Sequence, residues 1–151
     1  MQHSYHLHEI HHAQDPLLDL VDQDPVRPHI PKHQRVGPHH RVLVLMKEDE
    51  PQSVVCVALS DHVGVCEQDL FAPTSAVPQV IMLYTIWSLK PGAGTALVHE
   101  VINYVKQYWC TVTRVVTLSP PTQMAEKFHL RNGAHQLQHN GDTVNFEYKI
   151  I

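Results

Sequence analysis

The sequence predicts an α/β (α+β) protein built on a mixed central sheet of about seven strands flanked by helices. Three observations carry this expectation. Short apolar, β-branched runs recur along the chain, separated by connections that bear proline and glycine. One of these runs, VIMLYTIW at 80–87, leads through Lys90-Pro91-Gly92-Ala93-Gly94 into apolar residues at Leu97, Val98, Val101, Ile102, Val105 and Tyr108, the spacing of a helix face. Near the other end, Asn140-Gly141 separates two strand-like segments, a strong hairpin signal.

Taken in order, residues 2–10 read as a first strand. Asp15 and Pro16 then open a short helix, with Asp15 as its cap and Pro16 at its first position. Pro25, Pro28, Pro31, Gly37 and Pro38 make 24–40 an irregular loop, placed to cross the surface or cover part of a pocket. Strands at 41–46 and 54–59 flank the charged turn 47–52 and pair as an antiparallel hairpin. A long connection over 60–79 leads to the strand 80–87, and the major helix opens at Thr95.

A strand at 114–118 is stopped by Pro120 and Pro121, which cannot continue a ladder. Thr122 caps a helix over 123–132, and Gly133 ends it as a left-handed residue. Strands at 135–139 and 143–150 close the chain. Val144, Phe146, Tyr148 and Ile150 share one face of the last, and Asn145, Glu147 and Lys149 the other. The order is β-α-β-β-β-α-β-α-β-β, with residues 1–151 read as a single domain.

Composition narrows the function classes. A formal net charge of −4 gives no reason to expect nucleic acid or an acidic membrane surface as partner. No apolar run approaches the roughly 20 residues of a membrane helix. The N-terminal MQHSYHLHEIHH has neither signal-peptide nor transit-peptide character. The three cysteines, Cys56, Cys66 and Cys110, lack CxxC pairing and suit a reducing compartment, so a cytoplasmic location is expected. Fourteen histidines are the unusual feature. His8-Glu9-Ile10-His11-His12 satisfies the spacing of a zinc-peptidase motif, but that motif needs a helix, and the alternation of Tyr5-His6-Leu7-His8 is that of a strand. No metal is expected.

The glycine turn is the first candidate site. Backbone N–H groups at a helix N-terminus suit phosphate, and glycine admits close approach. The strand–glycine turn–helix unit within this element order resembles the GNAT acyltransferase superfamily, whose phosphate-cradling turn reads Arg/Gln-x-x-Gly-x-Gly/Ala. Leu89-Lys90-Pro91-Gly92-Ala93-Gly94 stands there, without the first basic or amide residue.

Within that fold the chain resembles the catalytic domain of malonyl-CoA decarboxylase almost from end to end. Val57-Ala58-Leu59 is similar to its Val-Ala-Leu. Leu83-Tyr84-Thr85-Ile86 is similar to its Phe-Tyr-Ser-Ile, and Leu118-Ser119-Pro120 matches its Leu-Ser-Pro. The stretch 128–134 (FHLRNGA) resembles its Phe-His-Leu-x-Asn-Gly-Ala and is the most specific of these matches. Val144-Asn145-Phe146-Glu147-Tyr148 is similar to its Val-Asn-Tyr-x-Tyr. The glycine loop here is shorter, and the family's insertion before the histidine motif and its separate helical domain are missing from this sequence.

The resemblance implies a CoA thioester, acetyl-CoA or malonyl-CoA, as ligand, and decarboxylation of a malonyl thioester as activity. It implies His129 as proton donor, Thr85 as the residue that orients the leaving carboxylate, and Tyr148 as support for the imidazole. For the cofactor it implies Ile86, Trp87, Lys90, Gly92, Ala93, Gly94 and Thr95. The family's catalytic acid has no matched position, although Glu67 and Asp69 lie in the same region.

Two other functions fit the same fold. In N-acetyl transfer an unidentified amine must be deprotonated, at a cost of roughly 4–5 kcal/mol for a lysine-like amine at pH 7, yet strand 80–87 carries no Asp or Glu. In the other, a non-catalytic protein binds CoA. The edge of the last hairpin also offers a surface for pairing with a second copy as a homodimer.

Overall fold

A computed structural model describes residues 4–150, so positions 2 and 3 of the expected first strand lie outside the described residues. The strands are β1 (Tyr5–Ile10), β2 (His40–Lys47), β3 (Glu50–Ser60), β4 (Val80–Ser88), β5 (Arg114–Thr117), β6 (His135–His139) and β7 (Val144–Tyr148). They form one sheet of order β1-β2-β3-β4-β5-β7-β6. All neighbours are antiparallel except β4 and β5. The predicted hairpin of β2 and β3 is present, but the strands run on into the charged segment and leave only Glu48 and Asp49 to turn, with Glu48 at φ 57°.

Helix α1 (Ala93–Tyr108) crosses one face. Its Leu97, Val98, Val101 and Val105 pack on Leu43, Leu45, Val55, Val57, Ile81 and Leu83. Each such side chain, once buried, contributes roughly 1.5–3 kcal/mol relative to exposure. Helix α2 (Gln123–Arg131) lies on the same side, where Phe128 packs with Phe146 and Tyr148. The opposite face is covered by Leu18, Val21, Ile30 and Leu70 from the connecting segments. With both faces covered, β2, β3 and β4 are almost continuously buried instead of alternating.

Two elements differ from expectation. The segment after Asp15 is a 3-10 helix, Pro16–Gln23, although Asp15 does cap it by accepting from Leu17 N. Helix α1 starts at Ala93, not Thr95, because Gly92 serves as its cap with φ 76° and Gly94 is already helical. A Cβ on Gly94 would lie 3.0 Å from both the Phe128 ring and Ser88 Oγ, so this glycine permits close packing. The last hairpin forms one edge of the sheet, with β6 outermost. Among the described residues no helix is long and apolar enough to cross a membrane.

Candidate active site in the wedge between two parallel strands

The site originates in a defect of pairing. β4 and β5 match residue for residue only from Val80↔Arg114 to Leu83↔Thr117. Leu118 N still reaches Leu83 O at 2.9 Å, and then the strands part. Tyr84 is the extra residue of a bulge, since Leu83 faces Val57 and Thr85 faces Cys56 on β3. β4 continues through 84–88, while the segment after β5 turns away at Ser119 and Pro120, with Ser119 bonded to Val144 instead. Between them opens a cavity of about 500 Å³. Its wall is mostly apolar and includes Thr85, Ile86, Trp87, Ser119, Phe128 and His129.

His129 stands on α2, which begins at Thr122, whose Oγ1 accepts from Ala125 N. The imidazole is 4% exposed, stacked on Phe146 at 5.2 Å between ring centroids. Its Nδ1 lies 2.6 Å from the Tyr148 hydroxyl. Burial pushes the His129 pKa down to about 4 and raises that of Tyr148. The phenol, held protonated by burial, has Nδ1 as its one hydrogen-bond partner among the described residues, and donation to it puts the proton of the neutral ring on Nε2. Burial thus favours the uncharged imidazole at neutral pH.

Thr85 is buried on β4 directly past the bulge. Its Oγ1 accepts from Arg27 Nη1 at 3.3 Å. Arg27 comes from the proline-rich loop and bridges the parting strands, donating from Nη1 to Tyr84 O and from Nη2 to Leu118 O, the latter at 3.1 Å. Glu67 stands 3.3 Å from its Nε. Ser119 Oγ and Thr117 Oγ1 are 2.7 Å apart beside the same wall.

The expected CoA residues divide. Ile86, Trp87 and Gly94 line the cavity, and the Trp87 indole N–H is buried without a partner among the described residues. Lys90 is exposed and pairs with Glu50 at 2.6 Å. Gly92 is exposed at the mouth of α1, whereas Ala93 is buried and accepts from Ser53 Oγ at 2.8 Å. Thr95 is half-buried in the first helical turn. Of the two carboxylates considered for a catalytic acid, Glu67 pairs with Arg27 and His29, and Asp69 accepts from Val65 N and Cys66 N. Neither lines the cavity. His8 lies in β1, not on a helix, and pairs with Asp15 at 2.7 Å.

Sequence reasoning missed Arg27, which is 5% exposed, and Asn145, which is fully buried. Asn145 donates to Gly64 O and Thr117 O and accepts from Gln138 and Asn140, tying the 60–79 connection to β5 and β6. The signal for Arg27 was the stretch Asp24-Pro25-Val26-Arg27: the Asp24 carboxylate accepts from both Val26 N and Arg27 N, a turn that fixes the arginine's backbone.

The chain has the GNAT fold: a seven-stranded mixed sheet flanked by helices that matches solved GNAT structures. One of them is malonyl-CoA decarboxylase from Agrobacterium vitis, with a TM-score of 0.78 at 16% identity, covering 96% of this chain and 60% of that protein. The chain thus spans about 60% of the length of that decarboxylase. The loading GNATL domain of CurA from Lyngbya majuscula is similar over 97% of this chain and 98% of its own, with a TM-score of 0.70 and 16% identity. AAC(6')-Ib, solved with ribostamycin and coenzyme A, has a TM-score of 0.66 and 17% identity, over 97% and 93% of the two chains. No protein-family model matches the sequence, and no curated protein matches it.

Proposed function

We propose that the chain binds an acyl-CoA with its thioester in the wedge and converts a malonyl thioester to the acetyl thioester and CO₂. The observation that carries this reading is the convergence of Thr85 and the His129–Tyr148 pair on one cavity at the parting of β4 and β5. The likeness to malonyl-CoA decarboxylase and to the CoA-bound AAC(6')-Ib supports it. The phosphates meet the start of α1 around residues 90–95, where the left-handed Gly92 leaves the approach open and Thr95 adds a hydroxyl.

Decarboxylation breaks the bond between the methylene carbon and the carboxylate. The electron pair moves into the thioester as an enolate, which then takes one proton at carbon. Backbone N–H groups on the edge of β4 that β5 leaves uncovered past Leu83 stabilise the enolate oxygen, and the Thr85 hydroxyl holds the departing carboxylate. The proton comes through His129. Neutral through burial, the imidazole gains a proton when an anionic carboxylate enters beside it, since a nearby opposite charge favours the charged form. That proton passes to carbon, so malonyl-CoA and one proton give acetyl-CoA and CO₂.

Acetyl transfer to an amine is the rival reading, favoured by the likeness to AAC(6')-Ib. Against it, the cavity wall contains no Asp or Glu, and a histidine with pKa near 4 is a weak base for an ammonium group. A silent CoA binder would have the affinity without turnover. Incubation with malonyl-CoA and no acceptor separates the three. Turnover that collapses in His129→Ala and Thr85→Val, with binding retained, supports decarboxylation. Turnover only with an added amine, at a rate that rises with pH, supports transfer.

A further inference from the structure

Two arginines are buried among the described residues, and one of them, Arg27, lies under the wedge. A fully desolvated guanidinium is costly unless its donors are used. Arg27 uses them at the place where the site is formed: Tyr84 O on one strand, Leu118 O on the other, Thr85 Oγ1, and Glu67 outside. Its position is fixed from behind. Asp24 Oδ1 accepts from Arg27 N at 2.7 Å, and Arg35 Nη2 donates to Arg27 O at 2.7 Å. Arg35 is itself held by Asp24 Oδ2 at 2.7 Å, with both side chains wholly buried. So many fixed contacts hold the guanidinium in place before any ligand arrives.

The bond to Thr85 has a directional consequence. A threonine hydroxyl has one proton to give. Because Arg27 donates to Oγ1, the lone pair on that side is occupied, and the O–H is left to point elsewhere, with the cavity as the open direction. The threonine becomes a hydrogen-bond donor toward the ligand, backed by a positive charge. Donor and charge together favour an acidic group over a neutral one.

Resting on the decarboxylase reading, we propose that Arg27 is the positioning and specificity residue of this site: it fixes the Thr85 hydroxyl as a donor and makes the wedge select acyl groups that end in a carboxylate. Glu67 opposes it. By neutralising the guanidinium from outside, Glu67 weakens the preference that Arg27 creates. The two residues therefore move selectivity in opposite directions, which a merely structural arginine would not do.

The test compares, in the full chain, the KM for malonyl-CoA with the inhibition constant of acetyl-CoA, read as the ratio of the two, because malonyl-CoA is consumed as it binds. Wild type should prefer malonyl-CoA. Arg27→Gln should lose about tenfold or more of that preference, the effect of removing a charge-assisted donor pair, while acetyl-CoA affinity stays nearly constant. Arg27→Lys should recover part of it. Glu67→Gln, on a half-exposed side chain, keeps the arginine in place and should raise the preference. It also decides the matter if Arg27→Gln fails to fold. A ratio unchanged in Glu67→Gln, or unchanged in a folded Arg27→Gln, overturns the proposal while leaving the decarboxylase reading intact. Wild type that binds neither thioester overturns that reading and this proposal with it.

Discussion

The Tyr148 hydroxyl lies 2.6 Å from Nδ1 of His129, in a pocket where both side chains are buried. β7 and α2 meet at this bond. It sets the tautomer of the imidazole, and through it the nitrogen that carries a proton.

Tyr148→Phe removes the only polar contact described for that ring. A buried nitrogen left unpaired costs about 1–3 kcal/mol of stability. We expect chemical unfolding to show a loss in that range. The turnover of malonyl-CoA should fall roughly tenfold, the effect of about 1.4 kcal/mol on a barrier, with KM little changed, because the imidazole is misdirected but the cavity wall remains.

Acid sensitivity follows from His129. Its folded-state pKa, near 4, lies below the ordinary 6.5. The unfolded chain therefore takes up the proton first. The associated stability is fully present above pH 6.5 and is lost as pH falls toward 4, by about 3 kcal/mol in total. Unfolding of the wild type should weaken across that window, and His129→Gln should flatten the dependence.

The same residue makes ligand binding proton-linked. In Thr85→Val, which should bind without turnover, malonyl-CoA should bind with net proton uptake between pH 5 and 7, seen as buffer-dependent heats, and acetyl-CoA should not. Equal proton uptake for both thioesters would remove His129 from contact with the carboxylate.

Gly94→Ala should disturb the site through packing. The added methyl would meet the Phe128 ring and Ser88 Oγ at 3.0 Å, forcing the start of α1 away from α2. We expect a loss of about 1–3 kcal/mol in stability and weaker CoA binding. Gly92→Ala meets nothing in space but must hold φ 76°, at a cost of roughly 1–2 kcal/mol. Its effect should appear in thermal unfolding.

The sheet was legible because its strands are apolar runs bounded by turn residues, and the caps at Asp15 and Thr122 are short polar side chains of the kind that favour such positions. The pairing of His129 with Tyr148 followed only from resemblance: no spacing rule connects residues brought together by a helix and the last strand. Period-2 alternation set Asn145 on the face opposite Phe146 but could not show that the 60–79 connection covers that face and buries it. For Arg27 the sequence held only the Asp24 turn that fixes its backbone, and nothing that told of its burial. An arginine among prolines reads as a surface loop unless the acceptors it will meet, here the carbonyls of two parting strands, are already known.

The most direct test of the account is titration of the protein with malonyl-CoA followed by mass analysis of the mixture, alongside acetyl-CoA and the His129→Gln variant. The account predicts binding of both thioesters, conversion of malonyl-CoA to acetyl-CoA by the wild type, and binding without conversion by the variant. Failure of the wild type to bind either thioester would contradict it, and would leave the wedge between β4 and β5 without the ligand assigned to it.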